Sequence, residues 1–185
     1  MTERVDLGIL FIAALLAAPA HAETVTVCYN YGCETQAEVR FEDAELAGLR
    51  QLLSVAPDAD AERLVIARVI GKMYAIAGRQ SPLWRDRGGN YPYDDNADGR
   101  MDCIDNAANT TRFLLLLESR SLLGFHSVEE PVRRGIFAAH WGARIRDRAS
   151  AEEFIVDSWF FDKDGGPVAV FTFDLWRRGA TANGH

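Results

Sequence analysis

The spacing of apolar positions changes once along the chain. From Ala44 to Val55 and from Ala59 to Gly78 apolar residues recur with helical periodicity, Ile66, Ile70, Met73 and Ala77 forming one stripe, and Pro57-Asp58 separates the two runs. This pattern predicts two core helices. Arg79 to Met101 is rich in Gly, Pro, Asn and Asp and reads as a loop, after which Asp102 opens a third helix that ends near Gly124. Its inner face is expected to carry Ile104, Ala107, Ala108, Thr111, Leu114 and Leu115.

Downstream the alternation becomes that of strands, over Ile136 to Arg146, Glu153 to Phe160 and Val168 to Phe171, with turn segments rich in Asp and Gly between them. One further strand surrounds Cys28. Glu129 to Arg134 reads as a solvated loop between strands, and the residues after Gly179 as a flexible tail. Helices followed by strands predict an α+β fold, with N-terminal helices packed on an antiparallel sheet.

Ahead of these elements, Leu7 to Ala18 is an apolar run too short to span a bilayer, and it leads into the small-x-small site Ala20-His21-Ala22. Residues 1–22 are therefore expected to be a signal peptide, 23–180 a single domain and 181–185 a flexible tail, with a periplasmic or secreted location. No later stretch reaches membrane-spanning length. The 185 residues carry 20 Lys plus Arg against 27 Asp plus Glu, a net charge of −7, which gives no general attraction for nucleic acid.

Export changes the meaning of the three cysteines, because an oxidising compartment joins neighbouring thiols. Cys28 and Cys33 flank a Tyr-Gly turn and are expected to pair, leaving Cys103 unpaired. Cys103 falls in the first turn of the third helix, where free backbone N–H groups and the helix dipole favour the nucleophilic thiolate. A thiol nucleophile needs a base. His140 lies in a strand pattern, and the next strand holds one acid, Asp157, in an otherwise apolar run; His126 is the alternative base. If the hairpin closes with Asp147 opposite Glu152, Gly142 faces Asp157. The acid then shares a sheet face with His140 one diagonal step away, and Gly142 leaves room for the imidazole to lean across.

The order Cys103, His140, Asp157, with Asp102-Cys103-Ile104-Asp105 at the helix start and His140-Trp141 and Val156-Asp157-Ser158 on successive strands, resembles the bacterial transglutaminase-like cysteine proteinases. The resemblance implies a transglutaminase-like (papain-like) core and a cysteine peptidase or amidase acting on a protein or peptide substrate. In that reading Cys103 attacks an amide carbonyl, His140 carries the proton and Asp157 orients the imidazole. An amine acyltransferase would use the same chemistry.

A second motif overlaps the first. Asp94 to Asp105 fits a 12-residue calcium loop, with side-chain oxygens from Asp94, Asn96, Asp98, Asp102 and Asp105, the carbonyl of Arg100, and Gly99 at the sharp turn. Asp105 stands where a bidentate Glu is usual, which predicts weak binding. Bound Ca2+ would offset the acidic field around Cys103, so activity is expected to depend on calcium. A non-catalytic calcium-binding interaction domain on the same fold is the alternative. The aromatic residues Trp84, Trp141, Trp159, Trp176, Tyr91 and Tyr93 read as core residues beside strands.

Overall fold

The computed structural model describes residues 22–89, 97–136 and 139–182. The chain begins with an antiparallel hairpin, β1 (Glu23–Tyr29) and β2 (Thr35–Phe41), followed by α1 (Asp43–Leu53) and α2 (Ala59–Gly78). A short 3-10 turn at Pro82–Arg85 precedes α3 (Cys103–Ser119). The second half is an antiparallel meander of β3 (His126–Arg134), β4 (His140–Asp147), β5 (Glu153–Asp157) and β6 (Ala169–Thr172), closed by α4 (Phe173–Arg177). The α+β class and the two core helices therefore stand as the periodicity implies, and the stripe Ile66, Ile70, Met73, Ala77 is buried. Among the described residues no helix is long and apolar enough to cross a membrane. The proposed signal peptide lies outside the described residues except for its last position, Ala22.

Three elements differ from the sequence expectation. Glu129 to Arg134 is not a loop but part of β3, whose register with β4 shifts between Glu129 and Val132, around Pro131. The proline removes a ladder donor and the charged side chains hide the strand pattern. β2 and α4 were not expected at all. The tail is held further than its polar composition suggests: Ala180 accepts a hydrogen bond from Arg134, 3.3 Å away, and Ala180, Thr181 and Ala182 are half-buried.

The inner face of α3 is also rotated from the one hydrophobicity selects. Ile104 and Leu115 are exposed, whereas Asp105, Asn106, Asn109 and Thr110 are buried together with Phe113 and Leu117. The buried polar groups have partners, which removes the usual cost of such burial. Asn109 accepts from the Cys28 N–H at 2.7 Å and donates to the Cys28 carbonyl at 2.8 Å, completing the outer edge of β1 as another strand would. Thr110 and Asn106 join the hydroxyls of Tyr74 and Ser158 at 2.9–3.0 Å. Through these bonds α3 joins the hairpin to α2 and to the end of β5. Its N-terminus is thereby fixed relative to both.

Candidate functional site

The hairpin of β4 and β5 sets the first half of the site. Asp147 donates its N–H to the Glu152 carbonyl at 2.9 Å, and Ala143 pairs with Val156, so Gly142 lies opposite Asp157 as the turn arithmetic requires. His140, the first residue of β4, and Asp157, the last of β5, therefore share a face. The imidazole Nε2 lies 2.7 Å from Asp157 Oδ2, and both side chains are buried. A Cβ at Gly142 would come within 2.4 Å of Ile155 Cγ2 and 3.2 Å of the Trp176 ring, so the glycine makes room first for Ile155 and then for Trp176.

Trp176 is fully buried, and its indole N–H donates to the same Asp157 oxygen at 2.9 Å. The Trp159 backbone N–H donates to the other oxygen at 3.2 Å. Asp157 thus has hydrogen-bond partners on both oxygens, and its own position is over-determined. The His140 ring packs between Trp159, Phe160 and Trp176, with centroids 5.0, 5.7 and 5.8 Å away. Trp176 is a core residue, whereas Trp159 and Phe160 are half-buried and line the site, and Trp84, read from the sequence as core, is exposed. The sequence carried one signal for Trp176 that periodicity ignores: a buried carboxylate needs more than one donor, and an indole N–H is a donor only.

The second half comes from α3. Asp102 caps the helix, its Oδ1 accepting from the N–H groups of Ile104 and Asp105 at 2.9 and 3.0 Å, and Asp105 returns the favour by accepting from the Asp102 N–H at 3.2 Å. Cys103 is then the first helical residue, half-buried, with Sγ 3.8 Å from the carbonyl of Ala139, the residue before His140. The thiol meets the imidazole. Burial works to lower the His140 pKa, but the hydrogen bonds to Asp157 and then Cys103, with the negative charge of both partners, outweigh it and push it up to about 9. Because Nε2–H is committed to Asp157, Nδ1 is the nitrogen left for the sulfur.

The β1–β2 turn secures this helix end. Asn30, Tyr31, Gly32 and Cys33 all have left-handed backbones, with φ of 67, 65, 61 and 62°, and Cys28 and Cys33 form the expected disulfide across them. The turned N–H groups point at the acids beside Cys103: Gly32 donates to Asp102 Oδ2 at 3.0 Å and Cys33 to Asp105 Oδ1 at 2.6 Å. Asn30 donates its N–H to the Arg100 carbonyl at 2.7 Å. Burial pushes Asp105 up to about 6, against the Cys33 N–H and with a further rise from the Asp102 charge.

For the calcium loop, Asp94 and Asn96 lie outside the described residues. Of the remaining positions, Asp102, Asp105 and the Arg100 carbonyl accept the N–H groups just named. Asp98 accepts from the Asn30 side chain at 3.1 Å and approaches Arg85 at 3.8 Å. Among the described residues no group of three His, Cys, Asp or Glu side chains is placed to hold a metal ion.

His126 is removed from the chemistry. It pairs with Asp147 at the far end of β4 from His140, is fully buried, and its Nδ1 lies 2.7 Å from Glu62. Glu62 also accepts from the Gly124 and Phe125 N–H groups, and although burial works to raise its pKa, the His126 and backbone hydrogen bonds hold it below the ordinary range. This pair ties α2 to the start of β3.

Cys103 and His140 open onto a groove of about 510 Å³, walled by Trp159 and Phe160 on one side and bordered by Arg134, Arg177 and Arg178. The depression of about 420 Å³ between α1 and α2 is lined by no Cys, Ser, Thr or His. Comparison with protein-family models, curated proteins and solved structures finds no match to this chain.

Proposed function

We propose that the chain is an exported cysteine hydrolase of amide bonds, built on a transglutaminase-like core, with Cys103 as nucleophile, His140 as general base and acid, and Asp157 as the group that orients His140. The observation that carries this reading is the convergence of a helix-start thiol with an imidazole whose other nitrogen is 2.7 Å from a doubly donated carboxylate. Each part has a chemical use.

His140 Nδ1 already holds the proton taken from the thiol when sulfur adds to the amide carbonyl carbon. The oxyanion that forms faces the first turn of α3, where the Cys103 N–H has no intrahelical acceptor and can donate to it. The imidazolium, stabilised by Asp157, returns the proton to the departing amine, leaving a thioester. Water then adds to the thioester with His140 again as base, releasing the acid and the free thiol. Trp159, Phe160 and Trp176 cover the imidazole and limit its hydration, which strengthens the hydrogen bond to Asp157. The disulfide and the thiol nucleophile are compatible when the chain works in an oxidising compartment with its third cysteine kept apart from the other two.

The test is hydrolysis of a complex peptide mixture by the chain lacking residues 1–22, read as new N-termini by mass spectrometry. The wild type is expected to generate a recurrent set of cleavages that Cys103→Ala abolishes. Identical peptide profiles for the two proteins would defeat the proposal.

A further inference from the structure

We propose that the groove beside Cys103 takes a peptide segment rich in carboxylates, the acidic side chains lying next to the amide bond that is attacked. This rests on the reading of Cys103 as the nucleophile.

The chain is acidic overall, at −7, yet the groove is basic. Arg134, Arg177 and Arg178 border it and, among the described residues, no Asp or Glu lines it. Elsewhere Arg63, Arg79, Arg120, Arg144, Arg146 and Arg148 each sit in an ion pair. Arg134, Arg177 and Arg178 have no carboxylate partner among the described residues. Asp157, whose charge reaches Arg134, is buried beneath His140 and already committed to it and to Trp176.

Two of the three guanidiniums, those of Arg134 and Arg177, are placed over aromatic rings. Arg134 donates to the carbonyls of Trp176 and Ala180 and lies 4.9 Å from the Trp176 ring centre. Arg177 lies 5.6 Å from the Phe173 ring centre, and Arg177 and Arg178 are exposed at the end of α4. A rigid fork of donors with unfilled valence matches carboxylates two atoms at a time. Opposite, the edge-to-face pair of Trp159 and Phe160, 5.0 Å apart, supplies an apolar wall for the peptide backbone and non-acidic side chains. The volume suits a short peptide segment.

Two alkylating probes of nearly equal size read this field directly. Iodoacetate carries a carboxylate and iodoacetamide does not. The rate of Cys103 alkylation by each is followed by intact mass and divided by its rate with glutathione. The normalised preference for iodoacetate is expected to be about 10-fold, the lower end of electrostatic focusing in a charged cleft. Most of it should vanish in the variant carrying Arg177→Gln and Arg178→Gln, and in high salt. A preference unchanged by that double substitution overturns the inference.

A second arm tests the peptide itself. A hexapeptide containing Glu should protect Cys103 from iodoacetamide at lower concentration than the same peptide with Gln, and equal protection also overturns the inference. Failure of both reagents to reach Cys103 in the folded chain, with normal alkylation in urea, would instead remove the nucleophile reading beneath it.

Discussion

The Trp176 indole N–H and the His140 imidazole share one oxygen of Asp157, at 2.9 and 2.7 Å. Both contacts are buried, and the Trp176 ring packs closely over Gly142, 3.2 Å from where a Cβ would stand. The tryptophan therefore acts through Asp157 as a positioning residue, with no contact to substrate. Trp176→Phe keeps the ring but removes the donor to a charged acceptor, a loss of about 1.5–3 kcal/mol. Denaturant unfolding should show this, and Trp176→Phe combined with Asp157→Asn should cost less than the two single effects together. Strict additivity would show that the indole N–H does not act through the carboxylate.

The hairpin that meets α3 gives a prediction about the disulfide. Closing so short a loop restricts the unfolded chain by about 2 kcal/mol, but the bond also keeps four consecutive residues left-handed, the conformation in which Gly32 and Cys33 reach Asp102 and Asp105. Replacing Cys28 and Cys33 by Ser should lower stability and also raise hydrogen exchange in the first turn of α3, more than in α2. Equal effects on the two helices would reduce the disulfide to a general brace.

Much of this arrangement was legible in the chain. The turn residues fixed the β4–β5 register, and from it the shared face of His140 and Asp157 followed without a structure. Cys103 was placed at the helix start by Asp102, whose capping role is a local rule. What hydrophobic spacing missed was polar. Asn106, Asn109 and Thr110 look solvent-facing because burial of a polar group depends on a partner distant in sequence, here Cys28, Tyr74 and Ser158. β3 was hidden by Glu129, Glu130 and the Arg133-Arg134 pair, since the bulge in this edge strand breaks the two-residue alternation. The basic groove is likewise non-local, because Arg134 and Arg177-Arg178 meet only when the chain after β6 folds back to the end of β3, where Arg134 donates to the Trp176 and Ala180 carbonyls.

A pH prediction follows from His140. Its folded pKa lies near 9, above the ordinary imidazole value of 6.5, so its contribution to stability is complete below about pH 6.5 and is lost as pH rises through 9. The ring is buried, and the loss amounts to about 3 kcal/mol at most. Urea unfolding at pH 6.5 and 9.5 should therefore show a decline that His140→Gln largely removes. Parallel declines in both proteins would mean that the charged imidazole is not held by Asp157 and Cys103.

Calcium has a clear test as well. The oxygens of Asp102 and Asp105 already accept backbone N–H groups, so these acids can serve the helix start without an ion. If the acidic loop closes around the ion as its spacing suggests, alkylation of Cys103 is faster in calcium than in a chelator, and the difference is lost on Asp98→Ala. Equal rates would show that these acids serve the helix start alone.

The central claim is that His140 activates Cys103. Its most direct measurement is the rate of Cys103 alkylation by iodoacetamide at pH 6, in the wild type, His140→Gln and Asp157→Asn. A thiol with a positioned base should react readily in the wild type, about 100-fold more slowly without the imidazole, and at an intermediate rate when the orienting carboxylate is gone. Equal rates in all three proteins would contradict the account.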